Sequence, residues 1–139
     1  MKRVIDTTVP FIAIREDVSG SSYDPTMGEY LCNPLDEDLS DVRISTSGFF
    51  SADSLGVISS EPHDTGPFDL PAGEARRFAL STDDEYDEMV VSWTVRYRTP
   101  SRGVVTESFG SYKCLKDTEY HPDVPALGGP ALIVPRSMA

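Results

Sequence analysis

Arg96 and Arg98 stand two residues apart in the run Val91-Ser92-Trp93-Thr94-Val95-Arg96-Tyr97-Arg98, and Arg102 follows the turn-forming stretch Thr99-Pro100-Ser101. On a strand, residues at a spacing of two point to the same side. Each guanidinium offers a planar fork of donors that matches a carboxylate. The chemistry is recognition, and arginine with tyrosine is the pairing enriched where one protein binds another. Tyr112 and Lys113, on the returning segment, extend the same basic and aromatic composition. Arg96, Arg98 and Arg102 are therefore the candidate partner-binding residues. The competing reading is that carboxylates on a neighbouring strand, such as Glu107, neutralise them in exposed pairs of little energetic weight.

Other chemistries find less support. His63 and His121 are the only histidines, and either could orient a nucleophile such as Ser59 or Ser60. No Gly-x-Ser-x-Gly elbow and no Gly-x-x-x-x-Gly-Lys loop occurs. The two histidines are too few for the usual zinc sets, and Cys32 and Cys114 lie far apart in sequence. Two acidic clusters remain: Asp36-Glu37-Asp38 with Asp41, and Asp83-Asp84-Glu85 with Asp87-Glu88. Calcium needs six to eight oxygens, but neither cluster has the glycine and distal glutamate of an EF-hand loop. They read as solvated loops at opposite ends of the molecule. No catalytic residue, metal or cofactor is expected, and the chain is not expected to be an enzyme.

The elements that must position the arginines are strands. Met89, Val91, Trp93, Val95 and Tyr97 alternate with Val90, Ser92, Thr94, Arg96 and Arg98, a period of two with one apolar and one polar face. Val104 to Lys113 returns after the turn, with Val105, Glu107 and Phe109 on one face and Val104, Thr106 and Ser108 on the other. A bulge near Gly110 is expected to switch that phase. Shorter strands are expected at Phe11 to Arg15, Gly28 to Asn33, Asp41 to Thr46, Phe49-Phe50 with Leu55 to Ile58, and Glu74 to Ser81. About seven strands with turn signals between them predict an all-β, antiparallel two-sheet sandwich. The sandwich domain is assigned to residues 1–114. Residues 115–139, with Pro122, Pro125, Pro130, Pro135 and Gly128-Gly129, form an irregular Pro/Gly-rich C-terminal extension. Its apolar run Ala131-Leu132-Ile133-Val134 is expected to dock on a sheet edge of its own or a neighbouring subunit, which would make the tail a route to a homo-oligomer.

Charge narrows the partner. The 139-residue chain has a formal net charge of -11, whereas residues 89–116 carry 5 basic and 1 acidic side chain. So acidic a chain is not a general nucleic-acid binder. No apolar run reaches the length of a membrane helix, so no membrane partner is expected. The start Met1-Lys2-Arg3-Val4-Ile5-Asp6 lacks the apolar core of a signal peptide. A cytoplasmic protein, or part of a larger particle, is the expectation. Its cysteines are then free thiols, with a Cys32–Cys114 bridge as the alternative.

The succession Glu29-Tyr30-Leu31-Cys32-Asn33, Asp41-Val42-Arg43-Ile44, Leu70-Pro71-Ala72-Gly73-Glu74 and Val91 to Tyr97 resembles immunoglobulin-like or fibronectin-III-like domains. Bacterial and phage members of that group carry a Leu-x-x-Gly-Glu turn before a strand. The resemblance spans roughly residues 10–114. It implies the fold alone. Antibody-type domains join their second and sixth strands by a disulfide and place a core tryptophan on the third strand. Here the sixth strand has no cysteine and carries Trp93 itself, so no antibody or receptor function and no functional residue transfers. The function expected is a non-enzymatic protein-binding or assembly module whose partner is another protein. The alternative is a small acidic phage-type inhibitor that blocks a defence enzyme by charge mimicry.

Overall fold

Alternating apolar and polar residues can bury one face only by pairing into sheets, and the strands of the described residues do so. The computed structural model describes residues 3–16, 26–52, 56–59, 63–82, 90–111 and 117–137. Within them lie twelve strands: β1 (Arg3–Val4), β2 (Phe11–Glu16), β3 (Thr26–Cys32), β4 (Leu39–Ala52), β5 (Gly56–Ser59), β6 (His63–Leu70), β7 (Ala75–Thr82), β8 (Val90–Thr99), β9 (Gly103–Ser111), β10 (Glu119–Val124), β11 (Gly129–Ile133) and β12 (Arg136–Ser137). They form two antiparallel sheets. One has seven strands in the order β1-β12-β9-β8-β4-β5, with β6 also on β4; the other has five in the order β10-β11-β2-β3-β7. Among the described residues no helix is long and apolar enough to cross a membrane.

The two-sheet sandwich expected from the alternation is therefore present, with more strands than the seven or so anticipated. Two local expectations are corrected. The segments Asp41 to Thr46 and Phe49-Phe50 are one 14-residue strand, because β8 pairs straight through Ser47 and Gly48. No bulge interrupts β9 near Gly110; the ladder with β8 runs evenly from Val91↔Ser111 to Thr99↔Gly103. Met89, Tyr112, Lys113 and Cys114 lie outside the described residues.

Trp93, Val95 and Tyr97 on β8 are buried to within 2% of full enclosure, as are Ile12, Ile14 and Leu31 of the facing sheet. The alternation of β8 is thus the alternation of core and solvent. One polar contact crosses this core: Trp93 Nε1 donates to Glu29 Oε1 at 2.9 Å, with Trp93 0% and Glu29 3% exposed. It ties β8 of one sheet to β3 of the other. A second polar knot closes one end of the sandwich. The Asn33 side-chain amide, wholly buried, donates to the carbonyls of Glu37, Leu70 and Pro71, and its oxygen accepts from the amide of Leu35.

The C-terminal segment corrects the expectation of irregular structure. It supplies β10, β11 and β12, because its prolines fall where a missing amide is tolerated: Pro122 on the outermost strand, Pro125 and Pro135 between strands, and Pro130 near the start of β11, where no ladder partner is assigned to it. β11 pairs with β2 (Leu132↔Ile14, Ile133↔Ala13) within the same chain, and Val134 donates from its amide to the Ile12 carbonyl at 2.9 Å. The chain then crosses to the other sheet, where β12 pairs with both β9 and β1. Arg136 reaches back across this seam. Its guanidinium bonds the Glu107 carboxylate and the Pro10 carbonyl and lies 4.9 Å from the Phe109 ring centroid. The turn between β10 and β11 is held against the five-stranded sheet by Arg15, which donates to the Leu127 carbonyl at 3.1 Å and lies 4.7 Å from the Tyr30 ring centroid.

Two predictions follow from the core. Trp93→Ala is expected to destabilise the protein by about 3–5 kcal/mol in urea denaturation. Trp93→Phe, which keeps a ring but removes the donor to Glu29, costs roughly 1–3 kcal/mol. A Trp93→Phe variant as stable as the wild type would show that the cross-sheet bond adds nothing to ring packing. The second concerns alkali. Cys32 carries a free, buried thiol, and burial pushes its pKa up to about 12. Burial likewise raises that of Tyr97. Both groups stay neutral in the fold while the unfolded chain ionises at lower pH. Stability is thus retained below the unfolded thiol pKa of about 8.5 and falls as pH rises toward the folded values. Denaturation at successive pH values should show this decline, with a shallower slope in Cys32→Ala.

Candidate partner-binding face

The outer side of the seven-stranded sheet is built from the polar half of each alternation. On β8 it carries Thr94, Arg96 and Arg98; on β9, Val104, Thr106 and Ser108; on β4, Arg43 and Ser45; all are exposed. Registers place these side by side. Arg96 lies between Thr106 on β9 and Arg43 on β4, and Arg98 is opposite Val104. Two like charges directly across a ladder oppose pairing.

Among the described residues, internal carboxylates offset that repulsion only at Arg43. Glu107, the partner considered for Arg96, faces the other way and pairs with Arg136. Its position in the alternation, with Val105 and Phe109, dictates this. Arg43 Nε contacts Asp41 Oδ1 at 3.3 Å with both side chains at least half exposed. Arg96 and Arg98 have no ion pair among the described residues.

The backbone beside Arg43 is irregular on both sides. Asp41 adopts a positive φ of 50°, uncommon for a residue with a side chain, where the registers of β4 with β6 and β8 shift. Its amide donates to Asp69 Oδ1 at 3.2 Å. On β6, Gly66 has φ 114° at a second register shift, and a Cβ there would run into the Val42 carbonyl oxygen. Bulges of this kind re-aim side chains and bend the sheet. Beside Gly66 lies a groove of about 280 Å³, lined by Arg43 and Arg96 with Ser45, Thr65, Thr94 and Asp64. Its lining offers two guanidinium forks and three hydroxyls, a donor-rich setting for a carboxylate, with Asp64 as a single opposing charge.

Arg102 is placed differently from Arg96 and Arg98. Its amide donates to Thr99 Oγ1 at 3.0 Å, and it lines a separate open cleft of about 510 Å³ with Asp6 and Arg136. The turn, not the strand period, sets its direction. Arg43 was missed by the sequence reading. The signal was available, since it alternates with Val42 and Ile44 as Arg96 does with Val95 and Tyr97.

The remaining residues with chemical potential have local roles. Glu37 accepts from Ser101 Oγ at 2.6 Å, which holds its carboxyl below the usual range. Asp38 accepts the Ala72 amide at 2.9 Å. The first acidic cluster therefore braces loops. The cluster at 83–88 lies outside the described residues. His63 belongs to β6 and His121 to β10, in different sheets. His121 Nε2 pairs with Glu119 Oε1 at 2.7 Å. Among the described residues, no group of three or more histidines, cysteines and carboxylates is arranged to hold a metal ion.

Gly66→Ala tests the origin of the groove. A side chain at this φ and this close approach should cost more than about 1 kcal/mol. The loss is expected with little change in far-ultraviolet circular dichroism. A neutral Gly66→Ala would show that the bulge is not obligatory.

No model of a known protein family and no curated protein matches this chain; what the face does must be read from its own chemistry.

Proposed function

We propose that the chain is a non-enzymatic protein-binding module of immunoglobulin-like architecture, and that its seven-stranded sheet docks an acidic segment of a partner protein on Arg43, Arg96 and Arg98. The strand order supports the architectural half. β2-β3-β7 in one sheet and β6-β4-β8-β9 in the other follow the A-B-E and C′-C-F-G arrangement of that group. On this alignment, Glu29 and Trp93 link the two strands that a disulfide joins in antibody domains.

The observation that carries the functional half is the cross-strand pair Arg43 and Arg96, with Arg98 beside it, on an exposed face of a chain whose net charge is -11. Such an arrangement costs stability until carboxylates from outside are placed between the forks. A chain so acidic overall offers little attraction to an acidic partner except at this face, so the local charge supplies register and specificity. Arg102, at the far side of the turn, widens the positive field without sharing the groove.

The test uses a fluorescein-labelled peptide of alternating glutamate and valine, read by anisotropy at low salt. Binding is expected to the wild type and to weaken at least about tenfold in Arg96→Ala with Arg98→Ala, or ~1.4 kcal/mol. It should weaken further as salt shortens the screening length. A lysine–valine peptide should not bind. Equal binding of the two peptides, or no effect of the double substitution, would overturn the assignment.

A further inference from the structure

We infer that the segment received by this face is strand β10 of a second copy of the chain; the inference rests on reading the face as a protein-binding surface. β10 is the outermost strand of the five-stranded sheet. It exposes Glu119, Tyr120 and Asp123, and its only described basic group, His121, is taken up by Glu119. The strand is thus acidic and aromatic where the arginine face is cationic.

Two of the three exposed large apolar side chains among the described residues fall on these two surfaces, and the third, Leu80, is on β7. Among the described residues, the large hydrophobics left open are Tyr120 at 63%, Val104 at 48% and Leu80 at 47%. Tyr120 points to the opposite side of β10 from Glu119 and His121, which pair with each other, and Val104 lies opposite Arg98 on the cationic face. A tyrosine ring delivered there meets an aliphatic neighbour and guanidinium planes able to stack on it. Asp123, beyond Tyr120 where the ladder shifts register, is the carboxylate offered to the forks of Arg96 and Arg98, and Glu119 adds negative charge along the strand.

The mode of contact is constrained too. Pro122 removes an amide from β10, and its ladder with β11 is irregular between His121 and Val124. The strand is a poor template for edge-to-edge addition. It presents side chains, and the receiving surface is a sheet face and not an edge. The two surfaces belong to opposite layers of the sandwich, so a pair of copies cannot exchange both contacts. Association is head to tail, closing into a ring or growing as a filament.

Sedimentation of the full chain at low salt tests this. Concentration-dependent association is expected for the wild type and is lost in Arg96→Glu with Arg98→Glu, and equally in Glu119→Arg with Asp123→Arg. An equimolar mixture of the two variants should form a dimer and nothing larger, since one retains the strand and the other the face. Circular dichroism checks that each variant folds. Should either fail to fold, a labelled peptide of residues 117–125 replaces it: binding to wild type and loss in Arg96→Ala are expected. A wild type that stays monomeric while the glutamate–valine peptide binds would overturn the inference and leave the face as a site for another protein. A monomer that binds neither peptide would remove both. Association that survives both double substitutions would also overturn it.

Discussion

The indole N–H of Trp93 and the carboxyl of Glu29 meet in the driest part of the molecule, and the placement of both sheets depends on that meeting. Neither polar group can be buried there without a partner. The bond fixes which residue of β8 lies over which residue of β3, so the sheets cannot slide past one another at no cost. Once Trp93 is held inward, the period of two commits Val95 and Tyr97 to the core. Arg96 and Arg98 are committed to water by the same step. The cationic face is thus a consequence of how the core is locked, not a decoration added to an independent scaffold.

The seam along β2 and β9 is the other place where the layers are joined. There the C-terminal strands do what hydrophobic packing between the sheets leaves undone. β11 satisfies the free edge of β2, β12 satisfies that of β9, and Arg136 bonds groups from both layers. Edges left open invite pairing with other chains. On this side the molecule covers the edges of β2 and β9 itself and leaves β10 and β1 as the outer strands.

β8 could be read from the sequence because one of its faces is wet: alternation shows only where the environment alternates. β2 hides its period, since Phe11, Ile12, Ala13 and Ile14 are all buried. One face meets the core, and the other is covered by a turn more than a hundred positions away. Nothing in four consecutive apolar residues announces that. The strands of the tail are hidden because proline counts against strands in general, whereas it excludes only positions whose amide must donate. In the candidate site, alternation makes the outward direction of Arg96, Arg98 and Arg43 legible, but not that Arg43 lies beside Arg96, since register between distant strands is a tertiary fact. The irregularities at Asp41 and Gly66 that shape the groove arise from the same long-range pairing.

The pairing of Ile14 with Leu132 has a temporal consequence. Strands so distant in sequence come together only after a large loss of chain entropy, and folds dominated by such contacts form in milliseconds to seconds, not microseconds. Until β11 arrives, β2 offers a run of apolar residues beside unsatisfied amides and carbonyls. That is the composition most prone to capture by another unfolded chain. β11 therefore acts as an internal guard, and the yield of native protein depends on how quickly it reaches β2.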